Sequence, residues 1–424
     1  MIISLLRKVF ILSSIASLVN AGEWNQHRGP FSNNLSDESI TSANWLKSTS
    51  AVAWKEKTPL GFSSFTTYEG NAFTLVAEED EDGLMREICI ALDLKTGKRE
   101  WSTHLGIMDY KAGGGNSGAS DNKGGDGPRS TPSVLDGKVW AYDSDMSLYC
   151  LSAKNGKLIW KVNVLKEYDG INPRWENASS PLIVDDLVII YGGGEGKSFL
   201  AFDKDSGRLK WKTGSELATH ATPILTKIHG LDQVIFFCQS GLVSILPKSG
   251  KELWRQDFPF KVSTAASPVV AGDLVYCSAG YGVGAGLFRI KKNGSKFSSE
   301  QVWRKPNDVV NHWSTPVYHD GHLYGMFSFK KYGDGPLQCV ELRTGRVKWS
   351  EDGYGPGNVI LSGKHLIALS DKGELSIVEA TPSYYNELAR KKLITGKCWS
   401  TPTLSNGMVL ARSTVEAVCL SVRE

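Results

Sequence analysis

Seven cysteines are too few and too scattered to build a framework. Cys89, Cys150, Cys238, Cys277, Cys339, Cys398 and Cys419 stand singly, with no adjacent pair and no C-x-x-C. Most sit inside apolar alternating runs such as LYCLSA, VIFFCQ and DLVYCSA. That excludes a zinc ribbon and a disulfide-dense scaffold, and reads as small buried hydrophobes. Charge of one sign is scarce too: 48 Lys+Arg against 45 Asp+Glu leave +3 over 424 residues, and no basic block appears. A nucleic-acid partner is excluded on that ground. Past residue 21, no apolar run is long enough for a membrane span. Helical periodicity is missing, as are G-x-S-x-G and H-E-x-x-H. GYGVGAG (280–286) lies in a hairpin rather than ahead of a helix, and His319 and His322 flank a DG turn. Neither reads as a phosphate or metal site.

What the chain does have is glycine and tryptophan, 44 and 13 of them. So many glycines imply many tight turns, and so many tryptophans imply one large side chain at a recurring position. The first 21 residues read as a secretory signal: Arg7 and Lys8, the apolar VFILSSIASLV, then Val19-Asn20-Ala21. Cleavage is expected after Ala21, giving an exported chain, periplasmic or secreted; an uncleaved anchor is the alternative.

A repeat decides the fold. STPSVLDGKVWAYDSDMSLYCLSAKNGKLIWK holds four short alternating runs separated by turn residues, a four-stranded meander. The opening prolines of such units, Pro132, Pro181, Pro223, Pro268, Pro316 and Pro402, are spaced 49, 42, 45, 48 and 86 apart. The last interval holds a degenerate unit, GNVILSGKHLIALSDKGELSIVEA, and an earlier unit from FSSFTTYEG lacks only the proline. Trp101, Trp160, Trp211, Trp254, Trp303 and Trp349 close the units, after turns in which Gly97, Gly156, Gly207 and Gly345 supply a positive φ and Asp93, Asp203 and Glu341 cap. Trp54 has no unit of its own, while the final unit lacks its fourth strand. The reading is an all-β, eight-bladed propeller of four-stranded antiparallel blades over 51–424, its ring closed by an N-terminal strand completing the last blade. Residues 22–50 are expected as an irregular segment packing over one face. Residues 111–128, KAGGGNSGASDNKGGDGP, are expected as a flexible inserted loop, or alternatively a lid or weak metal loop with Asp121 and Asp126.

ALDLKTGKREW, AFDKDSGRLKW and VELRTGRVKW, with the opening WNQHRGPFSN, resemble the pyrroloquinoline-quinone-type propeller repeat over about residues 24–424. The resemblance implies the fold. For function it implies two branches: quinoprotein dehydrogenases, and non-catalytic propellers such as the periplasmic scaffold of the β-barrel assembly machine. The dehydrogenases are longer, hold calcium with a carboxylate and an Asn, and often carry a vicinal disulfide against the quinone. Here no adjacent cysteines exist, and only Glu176 and Asn177, beside Trp175, offer a calcium-like pair.

The residues just before each opening proline converge on the central channel in a propeller. They read Arg129, Trp175-Glu176-Asn177, His220, Ser263-Thr264, His312-Trp313, and Lys397 with Trp399. Aromatic walls and mixed charge there point to a polar or anionic ligand at the channel entrance. The expectation is a monomeric binding or scaffold protein of the cell envelope, its partner a small molecule or an envelope protein. The alternatives are a quinone- and calcium-dependent oxidoreductase and a carbohydrate-binding or carbohydrate-processing propeller.

Overall fold

Short alternating strands joined by glycine turns can bury only one face at a time, so they stack as blades. The computed structural model describes residues 22–108 and 126–422. The expected signal (1–21) and residues 111–125 of the inserted loop, with Asp121, lie outside the described residues. Among the described residues eight sheets form: six are antiparallel meanders consecutive in sequence, and the other two each take one strand from the N-terminal region. Blade 1 runs Thr66–Tyr68, Asn71–Glu79, Met85–Asp93 and Arg99–Ile107. Blade 8 combines Thr403–Ser405, Met408–Arg412 and Glu416–Ser421 with Val52–Lys57 from the other end of the chain. That last pair is antiparallel, Trp54 opposite Cys419. The ring closes as the strand count requires.

Each hydrophobic cluster lies between two neighbouring blades rather than within one. The cluster of Trp54, Phe65, Val76, Ile90, Leu410 and Cys419, for example, seals blade 8 against blade 1. Closing tryptophans are the outer wedges of these seams. Trp54 donates its indole N–H to Leu94 O of blade 1 (2.9 Å), Trp101 to Ala153 O (2.9 Å), Trp160 to Lys204 O (3.1 Å) and Trp211 to Pro247 O (2.9 Å). Trp303 and Trp349 do the same to Leu342 O and Thr381 O. Trp254 departs: its N–H goes to Gln233 Oε1 in its own blade. Blade 5 closes its outer hairpin through a tight Asn293-Gly294 turn, so it offers no equivalent loop carbonyl. All seven cysteines are buried and unpaired.

Two features differ from the sequence reading. Single helical turns occur at Asn44–Lys47 and Val164–Tyr168. In the second, the Asn163 side chain accepts from Lys166 N (2.8 Å) while Glu167 accepts from Asn163 N (2.7 Å), a reciprocal cap that fixes one turn without a long apolar face. The larger difference is where residues 22–40 go. They do not drape a face; they thread the hole. Trp24 exchanges bonds with Thr67, Asn25 O accepts from Val134 N, and Asn34 O accepts from Leu361 N. Leu35–Ser36 adds a parallel fifth strand to the inner edge of blade 7. A central hole lined by unpaired strand edges is the one place where an irregular segment can satisfy its backbone on several sides.

Candidate functional site

Around the hole, one hydroxyl residue from each of seven blades, with Asn358 in the equivalent place of blade 7, makes a collar. Ser64 N–H donates to the Thr131 hydroxyl (3.0 Å), Thr131 N–H to Ser180 (2.9 Å) and Ser180 N–H to Thr222 (3.0 Å). Further on, Ser267 N–H donates to Thr315 (2.9 Å), and Thr401 N–H returns to Ser64 (2.8 Å). These are the residues directly before the opening prolines or their equivalents. Because a strand alternates faces, the residue two places earlier also looks into the hole: Phe62, Arg129, Ala178, His220, Ala265, Trp313 and Trp399 all line one cavity of about 340 Å³.

Its base comes from the threaded segment. Residues 22–24 bond near the far ends of the inner strands of blades 1 and 8, at Thr67, Ser405 and Asn406. His27, Arg28 and Asn34 then line the cavity from below. Arg28 and Asn34 sit at φ +68° and +62°, a left-handed backbone that ordinary residues adopt only under constraint. The result is a cup.

Its walls are aromatic. Trp313 stacks on Trp399 at 5.1 Å, and Trp399 on Phe62 at 5.0 Å and Tyr332 at 5.8 Å. Opposite them, Trp175 lies parallel to Tyr281 (6.4 Å) and tilted against His220 (6.3 Å). Trp175, also at positive φ, is held by Arg129, whose guanidinium donates to its carbonyl (3.1 Å). His312 meets Trp313 edge-on and accepts from Gly280 N–H through Nδ1 (3.1 Å), which leaves the proton of the neutral ring on Nε2.

Neutral is the state burial selects. Burial, with His220 and Lys330 nearby, pushes His312 down to about 3. Burial and Arg129 bring His220 to about 4, and burial and Arg28 bring His27 to about 3. Burial also lowers Arg28 to about 9. Among the described residues, Arg28, Arg129 and Lys330 are the cationic lining groups and no carboxylate lines the cup.

Six of the residues expected at the channel entrance are thus brought together: Arg129, Trp175, His220, His312, Trp313 and Trp399. Ser263 and Thr264 instead brace the frame, Ser263 accepting from His220 N–H (2.9 Å) and Thr264 donating to Ser278 O (3.2 Å). Glu176 stands outside the lining, its carboxylate against the Asn172 amide. Asn177 is buried and spends its amide on Asp143 O (3.1 Å) and Ser179 O (3.2 Å). Lys397 pairs with Asp126 at 3.1 Å and faces a neighbouring groove with Lys372, Lys392 and Trp399. Sequence reading missed His27, Arg28, Asn34, Phe62, Tyr281, Lys330 and Tyr332. Phe62 was within reach, because FSSF aligns with the collar positions of proline-bearing units.

A family model described as outer membrane protein assembly factor BamB matches residues 85–351. The chain is 24% identical over 219 residues to a tetrathionate hydrolase of Acidithiobacillus ferrooxidans, covering 51% of this chain and 36% of that protein. It is 23% identical over 266 residues to the outer membrane protein assembly factor BamB of Shewanella oneidensis, covering 59% and 64%. The chain therefore spans about a third of the first relative's length and just under two thirds of the second's. Among solved structures, BamB from Moraxella catarrhalis superposes with a TM-score of 0.55 at 13% identity, over 86% of this chain and 96% of that one. A quinohemoprotein alcohol dehydrogenase from Pseudomonas putida gives 0.65 at 12% identity, over 95% and 80%. Likeness at that identity concerns the fold alone.

Proposed function

The chain belongs to the family of the outer membrane protein assembly factor BamB, and on that premise we propose that it is an exported binding propeller of the cell envelope whose ligand sits in the central cup. The observation that carries this reading is the cup itself: aromatic walls, convergent polar groups and a base supplied by a separate segment of chain, the usual make-up of a small-ligand site. Export is supported by the apolar leader. After cleavage at Ala21, the new ammonium at Gly22 would meet the Asp37 carboxylate, which already accepts its N–H at 3.2 Å. No described helix is long and apolar enough to cross a membrane.

The quinone-and-calcium chemistry of the dehydrogenase branch does not fit these residues. Calcium takes six to eight oxygens, carboxylates among them. Asn177 is committed to backbone carbonyls, Glu176 lies off the lining, and no described carboxylate faces the cup. A scaffold role for envelope proteins is the second reading, favoured by the family and compatible with an occupied cup.

Thermal-shift screening with sugars, quinone plus calcium, and carboxylate-ended peptides tests the proposal. A ligand of the cup raises the melting temperature of the wild type and of Glu176→Ala, and loses that effect in Arg129→Ala and His312→Ala. A shift that survives all three substitutions would move the working site to the blade rims and leave the scaffold reading in its place.

A further inference from the structure

Among the described residues two arginines, Arg28 and Arg412, are buried, and they are treated differently. Arg412 is 0% exposed and donates to Thr74 Oγ1 (2.9 Å), Leu75 O (2.9 Å), Pro59 O (2.8 Å) and, more weakly, Ser413 O (3.4 Å). It is a structural clamp between blades 8 and 1, with its donors used. Arg28, 3% exposed, makes one long bond, to Pro268 O at 3.5 Å, and its Nε has no partner. Among the described residues no carboxylate pairs with it. A guanidinium carries five N–H donors, and leaving them unused in a buried site is strongly unfavourable unless something else accepts them. Arg28 lines the cup and is held there by its turn: a left-handed residue followed by Gly29, with Asn33 N and Asn34 N both bonded to Arg28 O.

The other polar groups of the cup repeat the message. Thr131, Thr222, Thr315 and Ser64 each accept a backbone N–H in the collar, so each hydroxyl proton remains to be donated. Arg129 and Lys330 add positive charge. The fully buried lining atoms left without a partner are Arg28 Nε, Asn34 Oδ1, His27 Nδ1 and His220 Nε2. The cup is a donor-rich, carboxylate-free site with flat aromatic walls, so its complement is oxygen-rich, anionic and ring-shaped. An aromatic acid would satisfy Arg28 and the walls but would leave the circle of hydroxyls without acceptors. A hydroxylated ring satisfies all three, because the apolar face of a pyranose packs on an aromatic ring while its edge exchanges hydrogen bonds.

Resting on the reading of the cup as the ligand site, the geometry points to an acidic sugar: one pyranose ring bearing a carboxylate or sulfate, its anionic group on Arg28 and its ring against Trp313 and Trp399. A cavity of about 340 Å³ with His27, Arg28 and Asn34 in its lining limits the occupant to a monosaccharide or the terminal unit of a longer chain.

Tryptophan emission, monitored in the exported full chain at low salt, supplies the test. Glucuronate and galactose 6-sulfate are titrated beside glucose, glucosamine, inorganic sulfate and benzoate. The acidic sugars are expected to saturate at least 30-fold more tightly than glucose or glucosamine, and tighter than sulfate or benzoate. Arg28→Gln should erase that preference, and Arg28→Lys should restore part of it. A uronate-ended oligosaccharide binding as the monomer does identifies a chain terminus as a source; a much weaker one identifies the free sugar. Glucose binding as tightly as glucuronate, or an unchanged acid affinity in Arg28→Gln, overturns the acidic-sugar inference and leaves the cup as a site of another chemistry. Should Arg28→Gln fail to fold, the wild-type ranking of acid against neutral sugar decides alone. Silence from every probe overturns the cup reading together with the inference.

Discussion

Glu87 and Asp143 show how much chemistry a single buried side chain can carry away from the cup. Both are buried where blades 1 and 2 meet; Asp143 accepts from Ser147 N (2.7 Å) and from the Tyr149 hydroxyl (3.2 Å), Glu87 from Ser144 N (3.0 Å). Burial and the neighbouring Glu87 push Asp143 up to about 8, and burial raises Glu87 as well. A carboxyl that keeps its proton in the folded state favours folding below the unfolded value near 4, and that contribution is lost as pH rises toward 8. The buried imidazoles work in the opposite direction. Folded His27, His220 and His312 refuse a proton that the unfolded chain takes up below 6.5, so their contribution is lost as pH falls toward 4 and 3. Each group acts with a slope of at most about 1.4 kcal/mol per pH unit. Asp143→Asn, which mimics the protonated carboxyl, should therefore gain stability over the wild type between pH 5 and pH 8. Urea midpoints at the two pH values check this, and a difference that does not move with pH would show that Asp143 ionises freely.

At the level of elements, the blade turn is where glycine and tryptophan meet. Gly207 has φ +68°, and a Cβ there would lie 2.7 Å from the Trp160 ring. Gly230 has φ +77° and nothing within 4 Å. Alanine at either site takes on about 1 kcal/mol of left-handed strain, so any excess at Gly207 measures the tryptophan seat. Gly207→Ala should be the more destabilising by at least about 1 kcal/mol in chemical denaturation, as an overpacked contact requires. Equal losses would mean that the ring shifts freely. These turns were legible in the sequence because their chemistry is local: the capping Asp93 and Asp203, the glycine and the tryptophan recur at fixed offsets. Arg129, His220, Trp313 and Trp399 were legible through the proline that follows each. Phe62 and Ser64 were marked only by the alignment of FSSF with the other units, because blade 1 lacks that proline. Tyr281 and Lys330 come from loops of no fixed length between strands. Arg28 and Asn34 were hidden most deeply, since their segment has neither periodicity nor glycine at Arg28, Ser32 and Asn34, the positions that turn left-handed.

The whole molecule depends on a seam between the two ends of its sequence. Trp54 is 5% exposed and its strand pairs with Glu416–Ser421. Trp54→Ala should lower stability by about 3–5 kcal/mol, the range for emptying a buried tryptophan site. Removing residues 51–57 should leave the edge of blade 8 unpaired and cause aggregation. Light scattering and denaturation read both effects, and a monodisperse truncated protein of unchanged stability would contradict closure by this strand.

The threaded N-terminal segment also sets an order in time. Gly22 O accepts from the Ser405 hydroxyl across 383 positions of sequence, and Asn34 O waits for Leu361. During synthesis, residues 22–40 emerge long before any of the blade 7 and 8 strands that hold them, and contacts of such separation form late in folding. The base of the cup is therefore among the last parts to be assembled, although it is among the first to be made. A chain broken off before blade 7 has inner strands and aromatic rings but lacks the Leu361 N–H that anchors Asn34, so the base of the cup is left without that anchor. Occupancy of the cup thus distinguishes a finished protein from an unfinished one, and a ligand present during export would reward completion by stabilising only full-length molecules.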